Sequence, residues 1–177
     1  MNHVDILKKI EKKVLWLACW MIHNANHIRE NQDGLKVGGH QASSASIVSI
    51  MTALYFSFLR PEDRVAVKPH ASPVFHAIQY LSGLQTKEKI QNFRGFGGAQ
   101  SYPSRTKDID DVDISTGSVG LGVAMTSFIS LIQDYVARKK FYKNKPLGRM
   151  IALVGDAELD EGNVYECLQE GWKHDLR

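Results

Sequence analysis

An α/β fold with a parallel sheet flanked by helices is predicted by three observations. Two short strand-like runs, RVAVK (64–68) and RMIALV (149–154), are separated by helical patterns rather than by a hairpin turn. The second run is nearly continuous in apolar residues, the pattern of a parallel strand covered on both faces. Each run also leads into a loop with a titratable residue, His70 after the first and Asp156 after the second. Open parallel sheets bind ligands at that place, beyond the carboxyl ends of their strands.

The remaining elements follow in chain order. Leu7, Ile10, Val14, Leu17, Met21, Ala25 and Ile28 recur every three or four residues, which predicts one long helix with a single buried stripe, ending near NQDG (31–34). The paired glycines of LKVGGHQASSAS (35–46) break that pattern. A second helix is expected from about Ser44 to Phe58, with Ile47, Ile50 or Met51, Leu54 and Phe58 on one face, and Pro61 closes the region. In ASPVFHAIQYLSG (71–83), Ser72 is placed to cap a helix, Pro73 fits its first turn and Gly83 follows its last. TKEKIQNF (86–93) predicts a short helix. Residues 94–116 form a long irregular stretch rich in Gly, Ser and Asp, a length that points to function or disorder. GSVGLG (117–122) then opens a long helix, and NVYECLQEGWK (163–173) a last one. No internal repeat and no domain boundary is visible, so residues 1–177 are read as one domain.

Composition narrows the function classes. Hydrophobic residues make up 44% and charged residues 23% of the 177, an ordinary globular mixture able to bury a core. A net charge of +3 is too small to argue for a nucleic-acid or membrane partner. The densest basic stretch, ARKKFYKNK (137–145), is read as a solvated helix end and loop. Cys19 and Cys167 lie inside apolar helical patterns and are read as buried free thiols, which fits a reducing, cytoplasmic compartment. KKIEKKVLWLACWMI (8–22) has the order of a signal peptide, lysines before an apolar run. That run is too short to span a membrane, no small-residue cleavage site follows it, and its periodicity continues, so an amphipathic helix is expected.

Four segments carry chemistry. His40 sits in the glycine turn GGH before a helix, and His70 in KPHASP after a strand. STGSVGLG (115–122) offers backbone N–H groups at a helix start, suited to an anion or a polar ring. GDAELDEGNVYE (155–166) gathers Asp156, Glu158, Asp160, Glu161 and Glu166 at the end of the second strand. Taken singly, each has a plain structural alternative. A strand-end Asp is commonly a cap or turn former. The glycines Gly117, Gly120 and Gly122 could serve close helix packing, and they do not fit G-x-G-x-x-G. His23, His27, His76 and His174 fall within helical patterns and are read as packing or surface residues. No P-loop and no zinc spacing of Cys and His is present.

In combination and in order, GGHQASSAS, HASP, SYP (101–103), STGSVGLG and GDAELDEGN resemble the motifs of the thiamine diphosphate-dependent transketolase superfamily, and most closely those of the homodimeric pyruvate dehydrogenase family. The resemblance runs from Gly38 onward. Transketolases have His-Pro-Gly where this chain has His40-Gln41-Ala42. The resemblance implies the diphosphate-binding, N-terminal part of that fold, with thiamine diphosphate and Mg2+ as cofactors. It matches Asp156 to a carboxylate ligand of the metal and Gly155 to the turn beside the diphosphate. His40 and His70 match histidines near the diphosphate and the reacting centre, in hydrogen bonding and proton transfer. Gly117, Ser118 and Val119 match the segment that contacts the aminopyrimidine, and Glu161 a glutamate at a homodimer interface that links two cofactors. Gln100 and Tyr102 are placed in the substrate channel, while Glu158, Asp160 and Glu166 are read as favouring the N-terminus of the following helix.

Two departures follow. Ala157 stands where the family has the second glycine of Gly-Asp-Gly, among the cofactor-binding positions. The chain also ends at Arg177, ahead of the family's metal-binding Asn and its pyrimidine-binding domain, so a fragment inactive by itself is expected. The parent activity implied is decarboxylation of a 2-oxoacid such as pyruvate with transfer of the acyl group to a lipoyl-bearing acyltransferase. The alternatives are two-carbon transfer between sugar phosphates and a non-catalytic assembly or regulatory role.

Overall fold

The computed structural model describes residues 2–30, 34–141 and 146–176. They form two compact units, Met1–Leu59 with His70–Val112, and Arg60–Pro69 with Asp113–Arg177, and each is described by itself.

The first unit is helical. Helix α1 (His3–His23) begins with a capping box: the Asn2 side chain accepts from the Asp5 N–H at 2.8 Å, and the Asp5 carboxylate accepts from the Asn2 N–H at 3.4 Å. Of its buried residues, Val14, Leu17 and Met21 lie on the expected stripe, and Ala18 and Ile22 widen it. Ile28, expected on the same stripe, is exposed, because α1 passes into a π-helical turn (Asn24–Ile28) whose wider pitch shifts the phase of the side chains. The helix end expected near 31–34 falls largely on Asn31, Gln32 and Asp33, outside the described residues.

The single helix expected over 44–58 is divided. Helix α2 (Gln41–Ala45) starts earlier, and Ile47 at φ −109°, ψ 0° separates it from α3 (Val48–Ala53), which ends in a second π-helical turn (Leu54–Phe58). Met51 rather than Ile50 is buried, and Phe58 is exposed. Helix α4 (Ser72–Leu81) lies at the centre of this unit and packs against α1, α2, α3 and α5 (Lys87–Gln91). Ser72 does not cap it. Ala71 is the cap residue, without a side-chain bond, and the Ser72 hydroxyl instead donates to the Ser101 carbonyl at 2.6 Å. A side-chain cap does form at α5, where Thr86 accepts from the Lys89 N–H at 3.3 Å. Met21, Met51, Phe75, Ile78 and Phe93 are at most 2% exposed. Burying each such side chain stabilises the fold by about 1.5–3 kcal/mol.

The second unit holds the sheet. Strands β1 (Arg64–Ala66) and β2 (Met150–Ala152) pair in parallel, with Val65 opposite Ile151. Helix α6 (Leu121–Arg138) packs on both strands, and α7 (Gly162–Lys173) packs on α6. Val123, Ala124, Val164 and Cys167 form the core here, with Ala152 and Val154 against them. β2 is half-buried rather than covered on both faces, because among the described residues the sheet has two strands. The starts of the strands are tied by buried Asp63, which accepts from the backbone N–H of Arg60 at 2.9 Å and of Arg149 at 2.8 Å, and pairs with the Arg149 guanidinium.

Both cysteines are free. Cys167 is buried, and burial raises its thiol above the ordinary value, whereas Cys19 is only half-buried. Helix α6 ends in exposed Arg138, Lys139 and Lys140, the solvated helix end expected there. Tyr142 to Lys145 of that basic stretch lie outside the described residues. Among the described residues, no helix is long and apolar enough to cross a membrane.

Candidate functional site

In the first unit, His40 and His70 share the wall of a cavity of about 690 Å³, together with Lys36, Arg94, Ser101 and Tyr102. Local bonds bring the two histidines there. The Asn26 side chain, in the turn after α1, accepts from the Gly38 N–H at 2.6 Å. His40 is the residue that starts α2; its side chain makes no capping bond and is exposed. On the same short helix, the Ser44 hydroxyl donates to the carbonyl of His70 at 3.1 Å. His70, also exposed, sits in a 3-10 turn (Pro69–Ala71) that runs into α4.

Arg94 braces the glycine turn. Its Nη1 donates to the Val37 carbonyl at 2.7 Å, and its guanidinium lies over the Phe93 ring at 5.3 Å. Gly39 has φ +87°, a conformation that favours glycine, and a Cβ there would stand 3.1 Å from Arg94 Nη2, which would have to shift slightly. Arg94 itself has φ 61°, in the left-handed region. It is half-buried, its Nε is buried with no hydrogen-bond partner, and burial lowers its guanidinium below the ordinary value. Among the described residues it pairs with no carboxylate, and none lines the cavity. A basic cavity without a counter-ion suits an anion.

Of the two residues expected in a substrate channel, Tyr102 lines this cavity and Gln100 does not. Its backbone is engaged elsewhere: the N–H donates to Asp108 at 2.9 Å and the carbonyl meets His76 Nε2 at 2.9 Å.

In the second unit, the glycine segment and the carboxylate segment are joined through Glu158. Its Oε2 accepts from the Gly155 N–H at 2.6 Å and its Oε1 from the Gly120 N–H at 3.4 Å. Lys68 lies alongside, its Nζ 3.7 Å from where a Gly155 Cβ would stand. The two amides thus converge on one carboxylate. Gly120 takes φ +76°, and a Cβ there would stand 2.5 Å from Asn163 Oδ1. Gly117, Ser118 and Val119 precede it and are exposed.

Asp156 is exposed, and its side chain makes no capping bond to the 3-10 turn (Ala157–Asp160) that it precedes, so the plain role of helix cap is not taken up. Ala157 and Glu161 are also exposed. The reading of Glu158, Asp160 and Glu166 as charges at the start of the next helix is corrected. The first turn of α7 contains no acid; Glu158 and Asp160 belong to the preceding 3-10 turn, and Glu166 falls beyond the first turn. Glu158 folds back onto the glycine amides because their N–H groups are closer partners than the helix end.

Lys36 and Lys68 carry no motif that marks them in the sequence, and neither does the bracing contact of Arg94 with Val37. Only Arg94 left a signal, as a cation at the edge of the long irregular stretch.

A family model described as 1-deoxy-D-xylulose-5-phosphate synthase matches residues 5–176. The pyruvate dehydrogenase E1 component of Mycolicibacterium smegmatis is 27% identical over 176 residues, covering 93% of this chain and 18% of that protein. The E1 component of Escherichia coli K12 is 26% identical over 169 residues, covering 90% and 18%. The mouse transketolase-like protein 2 is 30% identical over 141 residues, covering 73% and 21%. The chain thus spans about a fifth of the length of these relatives. With the family match running over nearly all of its residues, the chain belongs to the thiamine diphosphate-dependent transketolase superfamily, within the N-terminal domain family of 1-deoxy-D-xylulose-5-phosphate synthase.

Proposed function

We propose that these residues supply the diphosphate-binding part of an enzyme that decarboxylates a small 2-oxoacid, pyruvate first, and passes the acyl group to a lipoyl carrier. The observation that carries the reading is the pairing of His40 and His70 on one basic cavity with, among the described residues, no carboxylate in its lining. A 2-oxoacid is an anion, and Lys36 and Arg94 offer its carboxylate charge and hydrogen bonds. The exposed imidazoles are free to donate hydrogen bonds and to move a proton. The relatives named as pyruvate dehydrogenase E1 components support the same choice.

The residues present fit the cofactor's anionic end. The Gly155 and Gly120 amides hold a carboxylate and would hold a phosphate oxygen in its place. Asp156, exposed and uncommitted to a cap, suits Mg2+, which takes hard oxygen ligands. The exposed methyl of Ala157 adds little bulk at the turn. Gly117, Ser118 and Val119 are assigned to the aminopyrimidine ring, and exposed Glu161 to a second subunit in a homodimer. When bound, thiamine diphosphate supplies the nucleophilic carbon and electron sink for cleaving a bond beside a carbonyl. A cytoplasmic setting accords with the free thiols.

A second reading, two-carbon transfer between sugar phosphates, is favoured by the two cations Lys36 and Arg94 in the lining of one cavity, which suit a phosphate dianion. Because the chain spans about a fifth of its relatives, we expect no turnover by these residues alone. The test therefore combines them with a polypeptide carrying a pyrimidine-binding domain, or uses a longer gene product. One assay supplies pyruvate with an artificial electron acceptor, and another supplies xylulose 5-phosphate with ribose 5-phosphate. Pyruvate-dependent reduction supports the first reading; ketol transfer without decarboxylation replaces it with the second.

A further inference from the structure

His76 was expected to be a packing or surface residue. It is fully buried on α4, and both of its ring nitrogens face acceptors. Nδ1 lies 2.6 Å from Asp110 Oδ2, and Nε2 lies 2.9 Å from the carbonyl of Gln100. A carbonyl only accepts, so Nε2 carries a hydrogen. A contact of 2.6 Å between Nδ1 and a carboxylate oxygen also needs a hydrogen between them. The other Asp110 oxygen accepts from the Gln85 side-chain amide, which favours an ionised carboxylate, and the second ring proton then belongs to His76.

The rest of the environment is consistent. The Phe75 and Phe93 rings meet the imidazole edge-on, with centroids at 5.6 and 5.9 Å, and keep water away. The charged groups facing His76 are the carboxylates of Asp108 and Asp110; α4 and the end of α5 present the two aromatic rings, and Gln85 presents an amide. Asp108 accepts from the N–H groups of Gln100 and Ser104, both at 2.9 Å. Burial raises the Asp108 carboxyl above its ordinary value, while the charge of His76 acts against that rise.

The same contacts have a consequence for the basic cavity. The segment that carries Gln100, Ser101 and Tyr102 is fixed to α4 at three points: Gln100 and Asp110 on His76, and the Ser101 carbonyl on the Ser72 hydroxyl. His70 stands immediately before α4, and Ser101 and Tyr102 line the cavity with it.

We infer that His76 is held as an imidazolium that fastens the 100–110 segment to α4, and that it is the positioning residue for Ser101 and Tyr102 in the cavity they line with His70. The buried ion pair stands by itself; its service to a substrate rests on the reading of the cavity given above.

Nitrogen-15 histidine labelling of the full chain tests it without any ligand. At neutral pH, His76 is expected to show two protonated ring nitrogens with slowly exchanging protons. In Asp110→Asn, the amide can donate to Nδ1, so the ring is expected to become neutral with hydrogen only on Nε2. Amide exchange across 100–110 should then accelerate about tenfold or more, the size of one lost charge-assisted bond. The Tyr102 ring resonances should shift while those of Trp172 stay in place. His76→Gln, which keeps a donor for the Gln100 carbonyl alone, should reproduce the faster exchange. A neutral His76 in the unsubstituted chain overturns the inference, as does unchanged exchange in both variants. Stoichiometric Zn2+ binding with loss of the Nδ1 proton also overturns it, since His76, Asp108 and Asp110 place their ligand atoms within 4.8 Å of one another. Because no cofactor is added, none of these results bears on thiamine diphosphate binding, and failure of that binding leaves the ion pair untouched.

Discussion

The carboxylate of Glu158 accepts a hydrogen bond of 2.6 Å from the backbone N–H of Gly155, closing the turn at the end of β2 on itself. With the Gly120 N–H at 3.4 Å on its other oxygen, Glu158 is an internal anion on donors that also suit a phosphate. Replacing it by glutamine keeps an oxygen acceptor and removes the charge. Glu158→Gln is therefore expected to leave the melting temperature nearly unchanged and to tighten Mg2+-dependent binding of inorganic pyrophosphate by about fivefold, roughly 1 kcal/mol. Calorimetry measures it; weaker binding would instead make Glu158 a ligand of the metal.

Asp156→Asn separates a ligand role from a structural one. The side chain is exposed and caps no helix, so its charge does little for the fold. Thermal stability of the cofactor-free chain should stay within about 0.5 kcal/mol, while Mg2+-dependent binding of thiamine diphosphate should fall by about tenfold or more, as a lost carboxylate ligand implies. A large drop in melting temperature with unchanged affinity would make Asp156 structural.

Asp63 should govern acid stability in the second unit. The Arg149 guanidinium, with the backbone N–H groups of Arg149 and Arg60, holds its carboxyl well below the ordinary carboxylate range, against the opposing effect of burial. The sign follows from the lowered value: the ionised form is bound more tightly in the folded chain. Its contribution is present above the unfolded value of about 3.9 and is lost as pH falls towards the folded one. Asp63→Asn should lower the melting temperature by about 5 °C at neutral pH. The gap from the unsubstituted chain should narrow below pH ~4. Differential scanning calorimetry across that range checks both statements.

Gly120→Ala tests the glycine segment. The alanine would have to adopt φ +76° and would bring its methyl to 2.5 Å from Asn163 Oδ1. Urea unfolding should show a loss of about 1–3 kcal/mol. Adding Asn163→Ala should recover only the steric part, because the backbone strain remains.

Residue types and their local spacing were legible along the chain. The stripe of α1 from Val14 to Met21 and the β-branched RVAVK run were legible because helix and strand periodicity are local properties. The order of the GGH, HASP, STGSVGLG and GDA segments identified the family from residue identity alone. Only the tertiary structure decided which partner each polar group takes. Ser72 has the chemistry of a cap but meets the Ser101 carbonyl, and Glu158 has the position of a helix-start charge but meets Gly155 and Gly120. His76 and Asp110 stand 34 positions apart, and Arg94 and Val37 57 apart, so neither bond leaves a mark in any local pattern. The π-helical turns after α1 and α3, which turn Ile28 and Phe58 outward, are likewise set by the packing around them. A hydrogen bond is decided by distance in space, and the sequence fixes distance only along the chain.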